Sequence, residues 1–219
     1  MRNLLLITIL LFGIKTFGIT PQIPDKLIYK GKEYKWSGYS PAFKYFAEQG
    51  FKAPEEASRN TGNYSIFIMT YEIVDGKLFL IDVEIEIEKE MEIIDKSVFK
   101  DYFPNQKRVL MDFHSNIQVI PYGEMIDVTK DDWTDVHFEN YLVFEIENGI
   151  VNKEFDLTYK KFEKLKKRQF NKFKKTTEYK KAIKSEENDL KEFNYFRPNK
   201  FSIDEYLRLV ILGLIKKLN

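Results

Sequence analysis

The stretch "YSIFIMTYEIVDGKLFLIDVEIEIE", residues 64–88, decides the fold. Two runs of apolar, β-branched and aromatic residues flank Asp75-Gly76. That dipeptide marks a two-residue hairpin, because a type I′ turn needs positive φ at both central positions. Closing the turn sets Val74 opposite Lys77. Counting outward then sets Ile68 opposite Val83 and Ile66 opposite Ile85. Ile81 and Ile87 join that face. Phe67, Met69, Tyr71, Leu80, Asp82, Glu84 and Glu86 fall on the other. Near the turn both faces are apolar, so this end is expected to be covered on both sides.

The far end raises a question of chemistry. Asp82, Glu84, Glu86 and Glu88 alternate with Val83, Ile85 and Ile87. Alternate residues on one strand stand roughly 6.5–7 Å apart at the backbone. Calcium requires six to eight oxygens converging from several segments. The expected partner strand offers Ser65, Phe67 and Met69 there, which are poor ligands. The row therefore reads as the wet face of a strand, with no metal assigned.

Outward from this hairpin the chain continues in strands. "KLIYKGKEYKW", residues 26–36, reads as a small hairpin turning at Lys30-Gly31. "FENYLVFEIENGIVNKEFDLT", residues 138–158, is a second strong hairpin turning at Asn148-Gly149. "KRVLMDFHSNIQVIPYGEMIDV", residues 107–128, reads as two strands with a turn at Pro121-Tyr122-Gly123. Two short helices interrupt them. Residues 40–50 carry Ser40 as cap, Pro41 at the first helical position and Gly50 as stop, with Phe43 and Phe46 sharing a buried face. Residues 95–105 form the other, ending before Pro104. The fold class is α+β: an antiparallel sheet built from tight hairpins, with helices on one face.

From Tyr159 the composition changes. Residues 159–184 hold twelve Lys or Arg and two Glu, a net charge of +10. The rest of the chain holds 23 basic and 32 acidic residues, a net charge of −9, so the total of +1 hides a dipolar molecule. Tyr159, Phe162, Phe170 and Phe173 share a narrow helical arc, which predicts a basic amphipathic helix. Tyr179 and Ile183 fall outside it, so a bend or end is expected near Thr176-Thr177. The chain closes on an apolar helix opened by a Ser202/Glu205 capping box. Ile203, Tyr206, Leu207, Val210, Ile211, Leu214 and Leu218 form its broad face, with Leu209 and Leu212 off it. At about 15 residues it is too short to span a bilayer, which needs about 20.

The N-terminus reads as an export signal. Arg2 precedes the nine-residue apolar run "LLLITILLF", residues 4–12, and small residues follow. Cleavage after Gly18 or Thr20 fits the small-residue rule, although Lys15 departs from the pattern. The expected organisation is a signal peptide over 1–18, then a single domain over 19–219, sheet-rich to 158 and helical from 159. The product is exported, to the periplasm or beyond. No transmembrane span remains in the mature chain.

Composition narrows the function classes. The chain has no cysteine, which excludes disulfides, thiolate zinc sites, thiol nucleophiles and a lipidated cysteine. No G-x-S-x-G, S-x-x-K, H-E-x-x-H or glycine-rich phosphate loop occurs. The only histidines stand in "DFH" (Asp112, His114) and "HFE" (His137, Glu139). In a strand each i,i+2 pair shares a face. Neighbouring strands would bring the four together as the catalytic candidates of a hydrolase or metal-dependent enzyme. The binding candidates are Lys164, Lys167, Arg168, Lys172 and Lys175 on the basic helix, facing an envelope polyanion, an anionic lipid or a protein partner. Export disfavours nucleic acid, and no cofactor is assigned. The leading expectation is a non-enzymatic binding module of the cell envelope. An uncleaved N-terminus would instead mark an intracellular interaction protein.

The stretches "PDKLIYKGKEY", "TYEIVDGKLFLIDVEIE", "FPNQKRV", "VIPYGEM" and "FENYLVFEIENG", followed by the lysine-rich helix, resemble a group of uncharacterised bacterial proteins. The resemblance covers residues 24 to about 184. It implies a recurrent domain design, and no activity, ligand or catalytic residue.

Overall fold

The computed structural model describes residues 22–38, 40–126, 136–195 and 197–218. The expected signal peptide and its cut lie outside them. Nine strands among these residues form one sheet: β1 (Asp25–Tyr29), β2 (Lys32–Trp36), β3 (Phe67–Val74), β4 (Lys77–Lys89), β5 (Glu92–Ser97), β6 (Val109–Leu110), β7 (Asn116–Ile126), β8 (His137–Glu147) and β9 (Ile150–Thr158). Their order is β2-β1-β3-β4-β9-β8-β7, with β5 and β6 also paired to β4. The fold is mixed α+β and the sheet mostly antiparallel. One pairing, β1 with β3, is parallel. Antiparallel β2 returns the chain to the starting end of β1, and helix α1 (Pro41–Glu48) with the loop after it carries it across to the other side of β1, where β3 pairs in parallel.

The expected turns form. Lys30-Gly31, Asp75-Gly76 and Asn148-Gly149 all have positive φ at both residues. A fourth turn, Glu90-Met91, joins β4 to β5 with two non-glycine residues in the left-handed region. No Asn, Asp or Gly marked it in the sequence.

The register of the central hairpin holds only near its turn. Val74 faces Lys77 and Tyr71 faces Leu80, but Thr70 then faces Asp82, Met69 faces Val83 and Phe67 faces Ile85. Ile81 is thus an extra residue, a β-bulge that moves the following residues of β4 to the other face. Leu78 and Leu80 share the core with Val83 and Ile85, opposite Phe67, Met69 and Tyr71. The expected pairing of Ile68 with Val83 and Ile66 with Ile85 is corrected accordingly.

A second correction concerns Pro121-Tyr122-Gly123. This is no turn between strands. β7 runs through it, with a register shift between Tyr122 and Met125. Proline is tolerated because β7 is an edge strand that lacks a second partner. The actual break falls at Met111–His114, where the His114 N–H donates to the Met111 carbonyl at 2.9 Å.

The sheet bends where its two halves meet. β4 and β9 pair only at Lys77 and Ile150. There the two glycine turns interlock: the Leu78 N–H donates to the Gly149 carbonyl, and the Val151 N–H to that of Gly76, each at 2.8 Å. The halves then face one another. Tyr29 sets its edge on Phe144 at 5.0 Å, and Tyr34 does so on Tyr122 at 5.3 Å. Between them lies the larger core, including Leu27, Trp36, Tyr71, Ile85 and Phe144, with Phe46 of α1 and Phe99 of α2 (Phe99–Tyr102).

β8 serves two cores. Leu142, Phe144 and Ile146 face the first, while Tyr141 and Val143 face a second one beneath the helices. α3 (Tyr159–Phe173) buries Phe162, Leu165, Lys166, Gln169, Phe170 and Phe173, the i, i+3, i+4 stripe of an amphipathic helix. It ends at Phe173, and α4 (Thr177–Ser185) starts anew with Thr176 accepting from the Tyr179 N–H, at the expected bend. α5 (Glu187–Asn194) follows. The capping box of Ser202 and Glu205 opens α6 (Ile203–Leu209). The single closing helix expected is broken at Val210, before the short α7 (Ile211–Leu214). The break brings Leu212, expected off the apolar face, into the second core.

α1 also differs in detail. Pro41 opens it and Ser40 precedes it, but the Ser40 hydroxyl pairs with Tyr71 instead of capping the backbone. Phe46 is buried while Phe43 is 48% exposed, so the two do not share a buried face.

Candidate functional site

The four residues expected to converge are held apart. Asp112 and His114 lie in the turn before β7, outside any strand, so the i,i+2 argument does not apply to them. His137 opens β8 and pairs with Ile126, the last residue of β7. The two histidines thus sit at opposite ends of β7, about 30 Å apart at the strand rise. His114 is buried and its Nε2 has no partner among the described residues. His137 packs on the Tyr159 ring at 4.7 Å. The Glu139 carboxylate accepts the Glu124 N–H at 3.2 Å. No group of three or more His, Asp or Glu among the described residues is arranged to hold a metal.

The carboxylate row of β4 is occupied by local partners. Asp82 accepts the Ser97 hydroxyl at 2.6 Å. Glu84 pairs with Lys26 at 2.6 Å. Glu86 is buried and takes the side-chain amides of Asn60 and Asn63 at 2.9 and 3.3 Å. This face is therefore less wet than the alternation suggested. Asp82, Glu84 and Glu86 each tie β4 to a different segment, while Glu88 is exposed, and their separation keeps the four from acting together.

The basic helix presents a different arrangement. Two of its cations answer carboxylates: Lys166 meets Glu163 and Lys174 meets Asp204, each at 2.6 Å. Lys164, Lys167, Arg168, Lys172 and Lys175 are exposed, as are Lys160 and Lys161, and none has an ion pair among the described residues. The acidic sheet does not neutralise them. Its carboxylates have other partners: those on β4 as above, while on β8 and β9 Glu145 meets Lys153, Glu147 meets Lys217, Glu154 meets Lys30 and Asp156 accepts the Tyr122 hydroxyl.

Beside these cations runs a groove of about 330 Å³ between α3 and β9. Phe155, Leu157 and Leu165 line it with Lys161, Lys164 and Arg168. The three cations are spaced i, i+3, i+7, so they share one face of the helix. Phe155 and Leu157 reach the groove because alternate residues of β9 point to the helical side. The sequence marked Lys164 and Arg168 as binding candidates. It gave no sign that β9 supplies an apolar wall beside them, since that depends on which face of β9 receives α3.

Two buried titratable groups lie elsewhere and oppose one another in pH dependence. Burial pushes the Asp25 carboxyl up to about 6, outweighing the hydrogen bonds from Ser40 and Met69. A raised carboxyl favours the fold fully below its unfolded value near 3.8, and that contribution is lost as pH rises through about 6. Burial pushes His114 down to about 4. Its contribution is present above 6.5 and lost as pH falls through about 4. Each shift corresponds to about 3 kcal/mol. His114→Gln is therefore expected to gain stability on acidification relative to the parent, and Asp25→Asn to lose it. Urea denaturation at about pH 7 and about pH 4.5 measures both differences.

No protein-family model, curated protein or solved structure matches the chain.

Proposed function

We propose that this chain is an exported, non-enzymatic binding module of the bacterial cell envelope, and that the outer face of α3 engages anionic lipid headgroups. One observation carries the reading: the exposed cations of α3 have no counter-charge among the described residues, and an apolar-walled groove runs along them. A soluble polyanion needs only the cations. An anionic amphiphile uses the apolar wall as well, and so fits the groove better. No helix among the described residues is long and apolar enough to cross a membrane, so the contact is peripheral. Export rests on the signal-like residues 1–18. The first strand among the described residues begins at Asp25, downstream of the expected cut.

A vesicle sedimentation assay tests the lipid contact. The protein should bind phosphatidylglycerol-containing vesicles and not neutral phosphatidylcholine vesicles, with affinity falling as salt rises. Near an anionic surface each cation contributes about 1 kcal/mol. Lys164→Ala with Arg168→Ala should therefore weaken binding about 30-fold while leaving the thermal midpoint nearly unchanged. Equal binding to neutral vesicles, or full affinity in the double variant, would contradict the reading. Preferential binding to heparin would replace lipid by a soluble polyanion.

A further inference from the structure

A second cavity, on the other half of the fold, has the opposite electrostatic character. It measures about 400 Å³ and opens beside the start of β1 and the loop before α1. Ile23, Pro24, Trp36, Phe43 and Tyr64 supply apolar wall, and Asp25 is the only charged residue among the described lining.

Asp25 is only 9% exposed. Its carboxylate accepts the Met69 N–H at 2.8 Å and a hydrogen bond from Ser40. Behind Ser40 stands Tyr71, with their hydroxyls 2.7 Å apart. The Ala42 N–H donates to the Tyr71 oxygen at 3.0 Å. Among the described residues no cation stands against this carboxylate. The neighbouring Lys26 is paired with Glu84. An ionised carboxylate has about four acceptor positions, and two are filled here.

A buried carboxylate without a cation is expensive to keep. The aromatic walls would add cation–π attraction for a positive ligand, and are largely unable to solvate a negative one. A divalent metal finds a single carboxylate and a few hydroxyls, too few oxygens for its shell. Trp36 is 1% exposed and its Nε1 lacks a partner among the described residues, so this corner of the fold already holds one unmatched polar group. We propose that the cavity binds a small primary ammonium compound with an apolar body, its N–H groups donating to Asp25 and its carbon skeleton lying against Trp36, Phe43 and Tyr64. This site shares no residue with the basic face of α3 and stands or falls separately from the lipid contact.

Titration calorimetry with 2-phenylethylammonium tests it, with 2-phenylethanol as the neutral analogue and 3-phenylpropionate as the anionic one. The ammonium should bind saturably at millimolar concentration or below, and the alcohol at least about tenfold more weakly. Affinity should fall when pH drops well below about 6, where Asp25 takes up a proton. Among the described residues, the other ionisable groups around it are the phenols of Tyr64 and Tyr71, and no second carboxylate or imidazole lines the cavity. Asp25→Asn keeps an acceptor for the Met69 N–H and should lose at least about tenfold in affinity. Tyr64→Ala removes a ring that is 78% exposed, and should weaken binding several-fold with folding intact. Equal affinity for the alcohol, retained affinity in Asp25→Asn, or no saturable binding of the ammonium overturns the proposal.

Discussion

Gly149→Ala is expected to destabilise the protein by about 3–4 kcal/mol, a large share of a typical margin of about 5–15 kcal/mol for a single residue that carries no side chain. Gly149 has φ +73, and a Cβ there would stand 2.8 Å from both the carbonyl carbon and oxygen of Met111. The left-handed conformation costs an alanine about 1–2 kcal/mol. The clash adds about 1–3 more, because its partner is backbone and cannot rotate away. That backbone is also fixed in place: the Gly149 N–H donates to the His114 carbonyl at 2.9 Å while its own carbonyl accepts from Leu78. Gly76, in the other half of the same joint, supplies the control. It has φ +68, but a Cβ there meets nothing within 4 Å. Gly76→Ala should cost only about 1 kcal/mol. Thermal or urea unfolding of the two variants separates turn strain from the interlocking of the turns. Equal losses would mean that the joint tolerates movement.

Phe144→Ala should cost about 4 kcal/mol, with a fall in thermal midpoint of about 10 °C. Phe144 is fully buried on the inner face of β8 and receives the edge of the Tyr29 ring at 82°. Its loss opens a void between the two halves of the sheet, where neither strand can close in without breaking pairings. The Tyr29 hydroxyl is held by Glu154 across the same interface, at 2.5 Å, which limits how far that ring can follow. A loss below about 1 kcal/mol would mean that the halves do not face one another as described.

The glycine turns were legible because each is local. Lys30-Gly31, Asp75-Gly76 and Asn148-Gly149 carry their instruction in two residues. The faces of β4 were not, because Leu78, Phe79, Leu80 and Ile81 are all apolar and leave the phase of alternation undefined. One signal was present: Leu78 and Leu80 fall on even positions, Val83, Ile85 and Ile87 on odd ones. A change of phase within one strand is the mark of a bulge. β5 was invisible because Glu90-Met91 lacks a turn residue, and the parallel β1–β3 pairing because it is a long-range choice. On the functional side, the cations of α3 were legible as a charge run, and the apolar wall from Phe155 and Leu157 was not. The Asp25 cavity had no signal at all. Its carboxyl looks like any charged residue after a proline until Trp36, Ser40 and Met69 close around it. The convergence of His114 with His137 failed for a similar reason, since adjacency of β7 and β8 says nothing about which ends meet.

The absence of cysteine makes the most direct measurement simple. A single environment-sensitive fluorophore on Asn171→Cys, on the exposed side of α3, reports whether that face enters an anionic lipid surface. The same fluorophore on Met91→Cys, at the exposed apolar tip between β4 and β5, serves as a control on a surface outside α3. The proposed lipid contact predicts brightening and a blue shift at 171 with phosphatidylglycerol-containing vesicles, reversed by salt, and little change at 91. A change at 91 alone, or at neither position, would contradict it.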